Sequence, residues 1–244
     1  MSETLDRVLD VLPSFRGGLL ITVELTVGGM ALMFALAFVL GLLGGSPWRA
    51  VRAVSQTIVE VFRGTSLVVQ LFWLFFVLPQ LGYRLDPLFC GILALGLNYG
   101  AYGAEIVRGA IAAVPRAQRE AAIAIGLSPA QRFRKVIFPQ AWVQMIPPFS
   151  VLSIQLLKGS AMASAITLTD LTFQAKILRN ATGNTALGYG VVLLLYFALA
   201  LAIAGTMKLL EARAKHRLGL PTGLPSVLRL GGSRKAPAAS GGAS

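Results

Sequence analysis

Charged residues are spaced so unevenly along this chain that they leave five long uncharged runs. These are residues 25–48, 64–83, 87–104, 136–157 and 180–207, of 24, 20, 18, 22 and 28 residues. About 20 apolar residues in a helix cross the hydrocarbon core of a bilayer, and runs of roughly 18 or more mark candidate spans. The pattern therefore predicts an all-α, polytopic membrane protein with five transmembrane helices, near residues 18–44, 64–81, 88–108, 140–157 and 186–209. An odd number of crossings puts the two ends on opposite sides. Residues 1–17 read as a short external lead, 18–210 as the membrane domain and 48–62 as a cytoplasmic amphipathic helix feeding the second span. Residues 211–244 read as a largely disordered cytoplasmic tail, because 17 of the last 26 residues are Gly, Pro, Ser or Ala.

Composition agrees with the pattern: 55% of the 244 residues are hydrophobic and 13% charged, against about 25% charged in soluble domains. The net charge of +12 would suggest nucleic acid in a soluble chain, but its distribution says otherwise. With the N-terminus outside, sixteen of the 22 basic residues and four of the ten acidic ones fall in inside segments, so the whole net charge lies inside. Basic loops are retained in the cytoplasm, which predicts an N-out, C-in protein and no nucleic-acid partner. The acidic N-terminus, with Glu3, Asp6 and Asp10, is unlike a secretory signal. The lone Cys90 and lone His216 offer no intrachain disulfide and no metal cluster.

The segment at 114–139, VPRAQREAAIAIGLSPAQRFRKVIFP, is too polar for a span and patterned as helix, turn, helix. Glu120, Ala121 and Ala122 lie in a helix-forming stretch, and Gly126 suits the left-handed position that ends it. Ser128 suits the next N-cap with Pro129 in the first turn, and Pro139 is expected to stop that second helix. The small residues allow close approach of another surface, and Arg116, Arg119, Arg132, Arg134 and Lys135 form a charged rim. Docking into a partner's groove and lying on an anionic leaflet both fit this pattern.

Glu120-Ala121-Ala122, with Gly126 four residues later and Pro139 thirteen beyond, closely resembles the EAA loop of permease subunits of bacterial ATP-binding-cassette importers. Glu60-Val61-Phe62-Arg63-Gly64-Thr65 with Gln70, and Asn98-Tyr99-Gly100-Ala101-Tyr102 followed by Glu105-Ile106-Val107-Arg108-Gly109, are similar to the polar amino acid (His/Gln/Arg) subfamily. The resemblance covers residues 15–215. It implies a type I importer permease fold in a bacterial cytoplasmic (inner) membrane, paired with itself or a homologous second permease. It also implies two ATP-binding subunits, an external solute-binding protein, and coupling of ATPase closure to alternating access through Glu120, Ala121, Ala122, Gly126 and Pro139. The chain has no G-x-x-x-x-G-K-[ST] loop and no catalytic constellation, so ATP and Mg belong to a partner chain, and this one is a transport subunit without a cofactor of its own.

A charge at the bilayer centre costs about 2.5–3.5 kcal/mol even on the mild insertion scale, which singles out Glu24, Glu60 and Glu105. Glu60 with Arg63, and Glu105 with Arg108, have the spacing of i,i+3 ion pairs. Gln70, Asn98, Tyr102, Gln155 and Ser160 are the uncharged candidates for a substrate pathway; helix packing is the alternative role for each. Where relatives carry K-D-T-S-L, this chain has Lys158-Gly159-Ser160-Ala161-Met162, lacking the acidic group beside the lysine. That departure favours a neutral polar amino acid or an amino-acid-derived compatible solute such as an ectoine over a cationic substrate. A stand-alone channel or ion-coupled carrier is the alternative class.

Overall fold

The computed structural model describes residues 2–217, and among these the chain is helical with no strand. Nine α-helices occur in the order α1 (Ser2–Leu43), α2 (Arg49–Gly64), α3 (Leu67–Phe72), α4 (Pro87–Ala112), α5 (Arg116–Ala124), α6 (Pro129–Arg132), α7 (Phe138–Ser160), α8 (Leu171–Thr182) and α9 (Thr185–Arg217). The expected external lead and first span form one helix from Ser2. Residues 211–217, expected in the tail, continue α9, and residues 218–244 lie outside the described residues.

Three stretches are long and apolar enough to cross a membrane: Pro13–Leu43, Pro129–Ile166 and Thr185–His216. A fourth crossing is available if Arg49–Gly64 and Leu67–Leu81, which meet at 98°, count together. The remaining expected span, α4, has 26 residues, about 39 Å at 1.5 Å each, but five glycines, Asn98, Tyr99 and Tyr102 dilute its hydropathy. It tolerates that dilution because it is the centre of the bundle, packed against α1, α2, α3 and α7.

The α1–α4 contact is built from glycines facing side chains of the other helix in both directions. On α1, Gly28, Gly29 and Gly41 face Ile92, Leu95 and Val107; on α4, Gly91, Gly96, Gly100 and Gly103 face Leu25, Leu32, Leu36 and Ala37. Partner numbers rise together along both helices, so α1 and α4 run parallel. Residues 44–86 must therefore return the chain through the thickness of the bundle. Contacts of Phe34 and Phe38 with Phe149 and Trp142, and of Tyr99 with Gln155, show α7 antiparallel to both. Small residues let backbones approach where lipid gives no hydrophobic drive between helices.

The return path is broken, and the breaks have causes. A π turn at Trp73–Val77 and a 3₁₀ turn at Leu78–Leu81 follow α3. A second π turn, Phe133–Ile137, links α6 to α7. Each π turn ends two residues before a proline, Pro79 or Pro139, and is closed by a five-residue bond, Leu78 N–H to Trp73 C=O and Phe138 N–H to Phe133 C=O. A proline ring collides with the carbonyl four residues earlier, and the wider turn relieves that collision. Pro139 thus does not stop the second loop helix as expected. It sits in the first turn of α7, and the loop continues into the span.

At Gly103 an added Cβ would come 2.7 Å from the Cβ of Ala37, which has no rotamer to yield; at Gly109 nothing lies within 4 Å. Gly103→Ala is expected to destabilise the folded chain by about 1–3 kcal/mol through overpacking. Gly109→Ala should be neutral or stabilising by up to about 1 kcal/mol. Thermal unfolding midpoints of the two variants in detergent would check the contrast.

Candidate functional site

The polar loop folds into the two short helices α5 and α6. Gly126 closes α5 at φ +76°, with Leu127 N–H donating to Ala122 C=O at 3.1 Å and Gly126 N–H to Ile123 C=O at 2.9 Å. This double bond pattern is a Schellman motif, which needs the left-handed residue that glycine supplies without a Cβ penalty. Ser128 caps α6 in a reciprocal capping box with Gln131, and Pro129 opens the helix. Arg119 donates to Ile111 C=O at 2.6 Å, and Gln140 to Gln118 at 3.5 Å, tying α5 to the end of α4 and the start of α7.

The loop therefore has a fixed shape. Glu120 and Ala121 are exposed and Ala122 is buried, so Ala122 packs inside the motif. Ile123 and Ile125 are 56% and 74% exposed. The sequence reading missed these two; isoleucines just before a helix-ending glycine in a basic loop are the signal that could have found them.

From the π turn a series of rings leads into the bundle. Phe133 lies 5.8 Å from Phe138, Phe138 6.1 Å from Trp142, Trp142 5.9 Å from Phe38, and Phe34 4.9 Å from Phe149. These rings, with Phe38 also 6.2 Å from Phe149, form a continuous contact path from the loop to α1.

Three pathway candidates meet at the break between α2 and α3. Gln70 Nε2 donates to Phe62 C=O at 3.0 Å and to Thr65 Oγ1 at 2.6 Å. The buried Asn98 donates from Nδ2 to Phe62 C=O at 3.1 Å. Tyr102 donates to Arg63 C=O at 3.3 Å. These side chains occupy carbonyls that the 98° bend leaves without helical partners. Arg63 lies over the Tyr102 ring at 5.3 Å and reaches Glu105 at 4.0 Å, while Arg108 pairs with Glu105 at 2.5 Å. Arg63 thus pairs across helices with Glu105, and no described ion pair involves Glu60; the bend turns Arg63 toward α4.

Gln155 and Ser160 lie elsewhere. The Gln155 side chain is exposed, and its carbonyl accepts from Tyr99 at 2.9 Å. Ser160 is buried and donates to Leu157 C=O at 2.7 Å. Its hydroxyl lies beside Tyr196, in a polar knot that joins α1, α7, α8 and α9. There Asp170 caps α8 by accepting from Phe173 N–H at 2.9 Å, Tyr196 donates to Asp170 at 3.5 Å, and Leu171 N–H donates to Thr22 at 3.1 Å. The sequence reading did not single out Asp170. Burial raises its carboxyl above the usual range, opposed by the bonds from Phe173, Thr172 and Tyr196.

Residues 37–216 match the family model described as "Binding-protein-dependent transport system inner membrane component". The chain is 46% identical over 211 residues to a probable amino-acid ABC transporter permease of Sinorhizobium fredii, covering 83% of this chain and 88% of that protein. It is 33% identical to the arginine transport system permease of Bacillus subtilis, covering 88% and 99%. Its structure superposes on that of an amino acid ABC transporter solved with histidines, with TM-score 0.78, 33% identity and coverage of 84% and 96%. The chain belongs to the binding-protein-dependent transport system inner membrane component family and has the type I ABC permease fold. It is a membrane transport component, and the ATPase of such a system is a separate partner.

For Asp170 the sign of the pH effect follows from its raised value. Below the ordinary aspartate pKa of about 3.9 the folded and unfolded states are both protonated. As pH rises from there to the raised value, the unfolded chain loses its proton first and stability falls. Asp170→Asn keeps a cap acceptor and should remove this fall, whereas Asp170→Ala should lose about 1 kcal/mol of capping. Unfolding midpoints across pH 4 to 8 would check both.

Proposed function

We propose that this chain is the permease subunit of an importer for a polar amino acid or an amino-acid derivative in the bacterial cytoplasmic membrane. It works with two ATP-binding subunits, a second permease subunit and an external solute-binding protein. ATP and Mg are held by the ATPase pair, and its closure drives alternating access here. The observation that carries this reading is the doubly capped loop, fixed in shape, exposing Glu120, Ala121, Ile123 and Ile125, and continuous with α7. A partner that moves this loop moves a span.

In this reading Gly126 and Pro139 set the loop's geometry rather than touch the partner. Gln70, Asn98 and Tyr102 hold the bent wall of the pathway, and the Arg63–Glu105–Arg108 group serves as a gate beside it. The amino-acid and arginine permeases among the relatives, and the structural neighbour solved with histidines, support a substrate bearing an amino-acid backbone. Lys158 is exposed and joins no ion pair among the described residues, and its neighbour Gly159 packs on Tyr99. A cation there disfavours a cationic side chain, which supports a neutral zwitterion or an ectoine-like solute.

Gly126→Val puts a β-branched residue in the left-handed region, at about 1–2 kcal/mol. With Glu120→Ala, it is expected to lower ATP-driven uptake in proteoliposomes at least about tenfold, equivalent to ~1.4 kcal/mol. Uptake and ATPase co-purification that both survive these changes would remove the coupling role. In the unaltered transporter, neutral zwitterions should compete for uptake; competition by cationic amino acids alone would overturn the substrate assignment.

A further inference from the structure

Where α9 passes α7 and α1, the bundle leaves a groove that the transport reading does not use. Its apolar part, about 290 Å³, is bounded by Phe34, Phe38, Trp142, Met207 and Leu210. Trp142 and Leu210 also line a wider cavity of about 560 Å³ that reaches Phe138, Pro139 and, at its polar end, Arg213. The two form one channel, apolar at one end and cationic at the other. Trp142 and Leu210 are 37% and 46% exposed, so the channel opens sideways from the bundle.

Arg213 is exposed and enters no ion pair among the described residues; its neighbour Glu211 is taken by Lys215 at 2.6 Å. Lys208, also exposed, stands on the same end of α9. An apolar slot in a spanning bundle has acyl chains as its available solvent, and basic pockets between spans attract anionic headgroups.

We propose that this groove is a binding site for an anionic phospholipid, with one acyl chain along Phe34, Phe38, Trp142 and Met207 and the phosphate at Arg213. The lipid chain lies against the rings that connect the π turn at Phe133 to α1. Its binding does not depend on the coupling role of the loop, and the test reads binding alone.

The chain's three tryptophans are Trp48, Trp73 and Trp142, and Trp48→Phe with Trp73→Phe leaves Trp142 as the single emitter. The full chain would be placed in phosphatidylcholine nanodiscs containing a small fraction of phosphatidylglycerol brominated on its acyl chains, or brominated phosphatidylcholine as the comparison. Phosphatidylglycerol should be preferred at Trp142 roughly fivefold, the equivalent of about 1 kcal/mol for one basic residue at an anionic surface, and Arg213→Gln should abolish that preference. Native mass spectrometry of the chain with all tryptophans intact, beside Arg213→Gln alone, gives the same comparison if the double substitution does not fold. Equal quenching by the two lipids, a preference that survives Arg213→Gln, or a Trp142 shielded from both lipids because a second permease chain covers the groove would each overturn the proposal.

Discussion

Inside a bilayer no water is at hand for a backbone group that lacks a partner, and each such group costs several kcal/mol. The sharpest departures from regular helix among the described residues are met by particular side chains or turns. The 98° bend after α2 frees carbonyls at Phe62, Arg63 and Thr65, and Gln70, Asn98 and Tyr102 supply the donors. Before Pro79 and Pro139 the helix widens into π turns. At the N-terminus of α8 the free amides go to Asp170 and Thr22. Gln70, Asn98, Tyr102 and Asp170, polar residues in and between the apolar runs, are those that satisfy the breaks in the bundle.

That constraint separates two kinds of polar residue that look alike in the sequence. Asn98 and Gln70 spend their amide N–H groups on backbone carbonyls of the bend. Glu105, shared between Arg63 and Arg108, joins α4 to the bend with side chains that are about one-third to one-half exposed. Exposed ion pairs of this kind contribute little to stability. Such pairs are easily exchanged, which fits the gate proposed for them.

The parallel α1–α4 pair is the most closely interlocked part of the bundle. Glycines on both helices face bulky groups on the other, leaving little room for sliding without clashes. Against it α7 leans through Phe34, Phe38, Trp142 and Phe149, and α7 is continuous with the loop that carries Glu120 and Gly126. α9 is the least supported, with 11% of its most apolar window buried, and the lateral groove at Arg213 lies along it.

Much of this was legible in the sequence because it is local. Uncharged runs locate helices, Gly126 and Ser128-Pro129 define a helix-turn-helix, and the Glu120-Ala121-Ala122 pattern carries the family. These follow from side-chain hydrophobicity and backbone preference within a few residues. The tertiary structure decided what depends on distant neighbours: that Pro139 continues a span behind a π turn, that Arg63 turns to Glu105 and away from Glu60, that Ala122 is inside while Ile123 and Ile125 are outside, and that Asp170 is buried in a knot of four helices. Spacing along one helix fixes which partners are reachable, but only the packing of other helices fixes which one is met and which carbonyls are left to satisfy.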